Sequence, residues 1–307
     1  MGCCQDFVHQ TTPLPRLFLM LPRSPQQLPP IVLTFAASDP SGGAGMQADL
    51  MTLSSLGCHP LSVTTALTVQ DTVGVGCVLA IDSDCVEDQA RTLLEDMPVA
   101  AFKIGLLGSI ENIVVIAEIL ADYPGLPVVL DPVLASGRGD ELADEEMISG
   151  LRELLLPLTT ILTPNSLEVR RLAVGEERAG EGEHDEASPA PLAECAQTLL
   201  DLGCEYVLLT GTHENTARVV NDLYAQRLGL VRSDAWDRLH GSYHGSGCTL
   251  ASAIAAHLAR GLSIDAAVWA AQEYTWQTLA AGFRPGMGQY IPDRFYQTRL
   301  RSGALDA

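Results

Sequence analysis

Short runs of Val, Ile and Leu alternate with stretches of helical period along most of this chain, and that alternation narrows the folds open to it. The strand-length runs fall at 31–37, 61–69, 101–106, 127–131, 160–163, 206–210, 218–224 and 227–231. The helical patterns fall at about 43–56, 83–95, 109–120, 144–155, 166–173, 191–202, 247–260 and 264–281. Strands that read as near-continuous apolar runs are buried on both faces, and a helix between successive strands is what a parallel crossover requires. The expected fold class is therefore α/β, a three-layer α/β/α sandwich with a mostly parallel central sheet. In such sheets ligands sit at the carboxyl ends of the strands.

Residues 1–29 are rich in Pro, Gln and Leu without a period, and are expected to be a flexible extension ahead of a single domain over 30–307. They lack the charged start and long apolar core of a signal peptide. Met1-Gly2 opens like a myristoylation signal, but position 6 is Asp6 and not Ser or Thr. Met20 is a second candidate start. Segment 175–191 is rich in Gly, Glu and Pro, a solvated loop.

Charge excludes one class of partner. A net charge of −20 and a pI near 4.5 repel phosphate backbones, so no nucleic acid is expected. No apolar run reaches the ~18–20 residues that span a bilayer, so no membrane is expected either. None of the eight cysteines sits in a Cys-x-x-Cys pair, which suits reduced thiols in a cytoplasmic protein. An anionic substrate would need a local positive field from helix N-termini, a metal ion or placed basic groups.

Five segments at strand exits or helix starts carry candidate chemistry. The first runs from Ala37 through Ser38-Asp39-Pro40-Ser41-Gly42-Gly43-Ala44-Gly45 to Asp49. Its glycines permit close backbone approach, and its Asp49 is a candidate acceptor for a substrate amine or a simple complement to the helix dipole. In the second, Thr68-Val69-Gln70-Asp71-Thr72, the planar amide of Gln70 suits the edge of a heterocycle. The third places Asp131 at the end of a buried strand, where a carboxylate needs solvent, a partner or a metal. In the fourth, Asn165-Ser166-Leu167-Glu168, a capping box competes with a role for Glu168 beside Mg²⁺. The fifth is His244-Gly245-Ser246-Gly247-Cys248-Thr249 ahead of an apolar helix. Its unpaired amides form an anion hole, and a thiol in that place is expected to have a lowered pKa.

In this order and spacing, the five segments resemble the hydroxymethylpyrimidine/phosphomethylpyrimidine kinases of thiamine biosynthesis, within the ribokinase-like superfamily. The resemblance covers about 31–295, with 38–49, 66–70, 103–107 and 244–249 its most specific parts. It implies two successive phosphorylations that use ATP and Mg²⁺. It implies a ring site of Asp49, Gln70, Ala37, Leu106 and Val133, and a catalytic site of Gly245, Gly247 and Cys248. It further implies a nucleotide side of Asp131, Asn165, Glu168, Thr210, Gly211 and Arg138. Glu168 and Asp131 would serve Mg²⁺ through water, since Mg²⁺ keeps most of its own shell. A homodimer is the expected assembly. The chain departs from the family where Ala37 replaces a glycine and where Gly137 and Thr210 replace phosphate-facing lysines; Arg138 is the candidate substitute for one of them. Two other readings use the same residues: a pyridoxal/pyridoxine kinase, and a pyrimidine-binding protein without catalysis.

Overall fold

The computed structural model describes residues 28–136, 139–174 and 190–303. Its first half comprises β1 (Ile31–Ser38), α1 (Gly45–Ser55), β2 (His59–Gln70), β3 (Val75–Ala80), α2 (Ser83–Asp96), β4 (Val99–Ile104) and α3 (Ile110–Ala121). β5 (Val128–Leu130), α4 (Glu145–Gly150), β6 (Ile161–Leu162), α5 (Ser166–Ala173), α6 (Leu192–Asp201) and β7 (Tyr206–Thr210) follow. The last elements are β8 (Arg218–Ala225), β9 (Gly229–Asp237), α7 (Ser246–Ala259), α8 (Ile264–Ala280) and α9 (Tyr296–Gly303).

The strands form one sheet in the order β3-β2-β1-β4-β5-β6-β7-β8-β9. Pairs from β2 through β7 run parallel, and β3, β8 and β9 join antiparallel at the two edges. Alternate side chains of each central strand enter opposite layers. Leu33, Phe35, Phe102, Leu130 and Val207 pack with α3, α5 and α6. Val32, Ala101, Val129, Ile161 and Leu208 pack with α7 and α8. This is the expected three-layer α/β/α sandwich. β1 has β2 on one side and β4 on the other, so successive crossovers leave it in opposite directions. That reversal opens a crevice at the carboxyl ends of β1 and β4, where the first glycine-rich segment emerges.

Three elements differ from the sequence expectation. β3 was not anticipated: four of its six residues, Gly76, Cys77, Leu79 and Ala80, are exposed, so it lacks the apolar run of a buried strand. β9 reaches Asp237 and begins later than 227, because Arg227 has φ 67° and forms the turn of the β8–β9 hairpin. The pattern at 144–155 breaks into α4, a wider π turn at Leu151–Leu155 and a tight turn at Leu156–Leu158 that contains Pro157. The segments expected to be a flexible extension and a solvated loop, and Arg138, lie outside the described residues except for 28–29 and 190–191. No helix among the described residues is long and apolar enough to cross a membrane.

Candidate active site

A cleft of about 510 Å³ opens at the carboxyl edge of the sheet. Ala37, Gln70, Leu106 and Val133 line it on the β1–β4 side, and Asp131, Asn165, Glu168 and Thr210 line it towards β5–β7. Gly245, Gly247 and Cys248 close it between them. The polar residues reach it because each ends a strand or starts a helix, where the backbone leaves the packed layers.

The N-terminus of α7 sets the centre of the cleft. Gly245 caps the helix with φ 80° and ψ 20°. A Cβ there would lie 1.9 Å from the Gly43 carbonyl oxygen, so only glycine allows this approach. Thr249 N–H is the first to bond back, to Gly245 O at 3.0 Å. The amides of Ser246, Gly247 and Cys248 therefore have no acceptor within their own helix, and the dipole adds to their positive potential. That arrangement suits an anion.

Cys248 departs from the sequence expectation. Burial pushes its thiol up to about 12, Lys103 opposes the shift, and Asp131 and Asp49 reinforce it. The thiol is thus neutral, and it hydrogen-bonds the Asp131 carboxylate. Burial outweighs the helix dipole here because two carboxylates share the neighbourhood. Asp131 itself is raised by burial, against the pull of Lys103, and its Oδ2 is buried without a hydrogen-bond partner.

Asp49 is not on the wall of the cleft but beneath it. Its side chain is 0% exposed. It accepts from Thr34 Oγ1 at 2.7 Å, Lys103 Nζ at 2.9 Å and Ser252 Oγ at 2.7 Å. With those bonds made, it serves Lys103 and not a substrate amine. Burial pulls the Lys103 ammonium down, but Asp49, Cys248 and Asp131 hold it above its ordinary value. Gly211 also lies off the wall, its N–H donated to Asn221 Oδ1 at 3.1 Å.

Gln70 is held by a network that fixes its amide. His244 Nε2 lies 2.8 Å from Asp39 Oδ2 and 2.8 Å from the near amide atom of Gln70. Thr68 Oγ1 donates to Ser38 O at 3.0 Å and lies 3.0 Å from the far amide atom. Burial raises Asp39, but bonds from His244, Ser41 and Ala44 outweigh it and hold the carboxyl low, so Asp39 only accepts. His244 Nε2 must then carry a proton, and the Gln70 atom facing it must be the oxygen. With the nitrogen there instead, the His244 N–H and the Gln70 NH₂ would be two donors facing each other, and the single Thr68 proton would be claimed by both Ser38 O and the Gln70 oxygen. The Gln70 NH₂ accordingly faces Thr68, which leaves its second hydrogen and the second lone pair of Oε1 without a partner in this network.

Glu168 closes the capping box that its sequence suggested. Asn165 Oδ1 accepts from Leu167 N at 2.9 Å and Glu168 N at 3.0 Å, while Glu168 Oε2 accepts from Asn165 N at 2.9 Å. It also lines the cleft, and burial with the nearby Asp131 pushes its carboxyl up to about 8. On the far rim, Thr72 in the β2–β3 turn accepts from Gln289 N at 2.8 Å and Gly288 N at 3.1 Å. Neither Lys103 nor His244 is assigned a role by the sequence alone. A lysine inside an apolar strand is costly unless paired, which was the available signal for Lys103.

The chain matches the family described as phosphomethylpyrimidine kinase over residues 39–293. A hydroxymethylpyrimidine/phosphomethylpyrimidine kinase of Streptomyces coelicolor is 39% identical over 86% of this chain and 94% of its own length. One of Rhizobium meliloti is 39% identical over 84% of this chain and 94% of its own. Among solved structures, phosphomethylpyrimidine kinase from Clostridium difficile superposes with a TM-score of 0.66 at 34% identity, covering 81% of this chain and 99% of that one. Pyridoxal kinase from Staphylococcus aureus in complex with ADP superposes with a TM-score of 0.77 at 28% identity, covering 89% and 96%.

Proposed function

This chain belongs to the phosphomethylpyrimidine kinase family, and from that premise we propose how its cleft moves the ATP γ-phosphoryl group onto hydroxymethylpyrimidine and then onto its monophosphate, in thiamine biosynthesis. The observation that carries the reading is a fixed amide at one end of the cleft and unpaired helix amides at the other. The ring lies between Ala37, Leu106 and Val133, with its polar edge on Gln70. Its hydroxymethyl group then points at Cys248, and the phosphoryl group sits on the amides of Ser246, Gly247 and Cys248.

Transfer forms the bond from the substrate oxygen to Pγ and breaks the bond from Pγ to the bridging oxygen, so ADP leaves. Positioning and charge dominate such a step, with little covalent work for the protein. The alcohol proton passes to Cys248 Sγ as the thiol gives its own to Asp131. A neutral thiol bonded to a carboxylate supports this relay better than a free thiolate does.

Asp131 and Glu168 fit a divalent cation. The buried Asp131, with one orphaned oxygen, and the half-buried Glu168 both have raised pKa values and lie beside each other. Mg²⁺ takes few protein carboxylates and prefers phosphate oxygens and water, and when bound it would neutralise the nucleotide's charge. Asn165 and Thr210 are proposed on the nucleotide side. The six described cysteines are free thiols, which supports a cytoplasmic setting. Exposed Leu67, Val69, Val73 and Leu79 around the β2–β3 hairpin support pairing of two copies.

The test is ATP turnover with hydroxymethylpyrimidine, its monophosphate and pyridoxal. The first two should turn over well above the third. Gln70→Ala should lower kcat/KM for the pyrimidine by about 10–100-fold, the loss of about 1–3 kcal/mol for an unmet buried polar group. KM for ATP should hardly move. Unchanged pyrimidine kinetics would remove Gln70 from the ring site.

A further inference from the structure

Arg294 lies between α8 and α9, is 2% exposed, and among the described residues forms no ion pair with a carboxylate. A buried guanidinium without a contacting carboxylate is costly; Asp49 and Asp39 favour its charge only from a distance, so its direct contacts must account for it. Nε–H donates to Thr249 Oγ1 at 3.0 Å. Nη2 donates to Gly43 O at 2.5 Å and Gly245 O at 3.4 Å, and Nη1 to Gly42 O at 3.4 Å. Thr249 Oγ1 in turn donates to Gly245 O at 2.7 Å. Tyr274 of α8 fixes the backbone from behind, its hydroxyl donating to Arg294 O at 2.9 Å.

The fork thus grips two glycine turns that are pressed together. Gly43 O is the atom that a Cβ on Gly245 would strike, and the carbonyl oxygens of both turns point at one guanidinium. Without a shared cation those two dipoles would face each other unscreened and push the turns apart. Separation would swing the start of α7, whose free amides face the cleft. The charge also lies behind those amides, since Nη2 reaches the carbonyl of Gly245, the residue that caps α7.

We propose that Arg294 is the positioning residue of the phosphoryl site: it latches the turn ahead of α1 to the N-terminus of α7, so that the amides of Ser246, Gly247 and Cys248 converge on the transferring group with a fixed positive charge behind them. This rests on the phosphoryl site assigned above.

The experiment uses the full chain with Arg294→Met, Arg294→Lys and Thr249→Val, each assayed well below its melting temperature. ADP binding and binding of ADP with aluminium fluoride, a mimic of the transferring phosphoryl group, are measured beside steady-state kinetics. Arg294→Met should lose about 10–100-fold in kcat with KM for the pyrimidine within about threefold. Its affinity for ADP–aluminium fluoride should fall by a similar factor, while ADP alone binds as in wild type. Arg294→Lys keeps the charge without the fork and should recover only part of the loss. Thr249→Val keeps Arg294 but removes the hydroxyl bridge, and should lose about three- to tenfold. If Arg294→Met does not fold, the Lys and Val variants decide. A kcat within about threefold of wild type in the folded Arg294 variants, or equal losses for ADP with and without aluminium fluoride, would overturn the latch. A wild-type chain inactive on hydroxymethylpyrimidine would instead count against the function proposed above, because the aluminium fluoride measurement needs no acceptor.

Discussion

A thiol at a helix start ordinarily loses its proton early, because the dipole favours the thiolate. Cys248 shows the limit of that rule: burial and the neighbouring Asp131 and Asp49 outweigh both the dipole and Lys103. Its reactivity should follow. In the unliganded protein below about pH 9, iodoacetamide should label the exposed Cys77 and Cys85 well before Cys248. Peptide mapping over time gives the order, and early labelling of Cys248 would show it ionised. Glu168 offers a second residue-scale test. An unfolded Glu ionises near 4.3, whereas Glu168 keeps its proton until about 8. Between those values the unfolded state has already lost the proton that the folded state still holds, so this group makes stability fall as pH rises and has no further effect above about 8. Glu168→Gln removes the titration but also half of the capping box, which shifts stability by a constant. The melting temperature of the variant minus that of wild type, without metal or nucleotide, should therefore climb from pH 4.5 to 8. A flat difference would show that Glu168 titrates as an exposed residue. The sequence marks both residues, but its expectation of a lowered pKa for Cys248 fails and it gives none for Glu168, since ionisation depends on neighbours brought in from β5, α1 and β4.

At the scale of elements, the anion hole depends on backbone closeness more than on side chains. Gly245→Ala would place a methyl group 1.9 Å from Gly43 O at a φ of 80°. The start of α7 must then move, and kcat should fall by about 100-fold or more, with the melting temperature lowered by only a few degrees because the helix body stays packed. Circular dichroism and steady-state rates on the same sample separate the two effects. Near-normal kcat would show that the amides do not carry the phosphoryl group. The glycines at 43 and 245 were legible in the sequence as permissive positions, but their contact was not, because a local pattern says nothing about which distant turn it will touch. Arg294 was invisible for the same reason. The edge strand β3 was missed on other grounds: an edge strand is only half-buried, so the apolar signal that reveals β1 or β5 is absent from it.

For the whole molecule, alternating apolar runs and helical periods sufficed to place the sandwich and the edge of the sheet that carries the cleft. The sheet order, with its reversal at β1, came only from the structure. The net charge of −20 acts at this scale too. An acidic surface repels nucleotide as it approaches, and salt shortens that repulsion to a Debye length of about 8 Å near 0.15 M. At saturating Mg²⁺, raising monovalent salt from about 20 to 200 mM should lower KM for ATP by about two- to fivefold. KM for the uncharged pyrimidine should stay constant in the same series. A rise in KM for ATP would mean that the local positive field of the cleft governs encounter.

The capping box on α5 also has a consequence for ion choice. Glu168 Oε2 is tied to the Asn165 N–H at 2.9 Å, and the carboxylate also takes a backbone bond from Leu134, so at most one oxygen could face a cation. The carboxylate can then bind through one oxygen but not chelate through two. Ca²⁺ fills six to eight positions and commonly takes carboxylates bidentately, whereas Mg²⁺ keeps an octahedral shell and accepts single oxygens. If the proposed cation binds there, Glu168, by holding its own helix end, would serve as a monodentate ligand, and the choice between the two ions would rest on a helix cap.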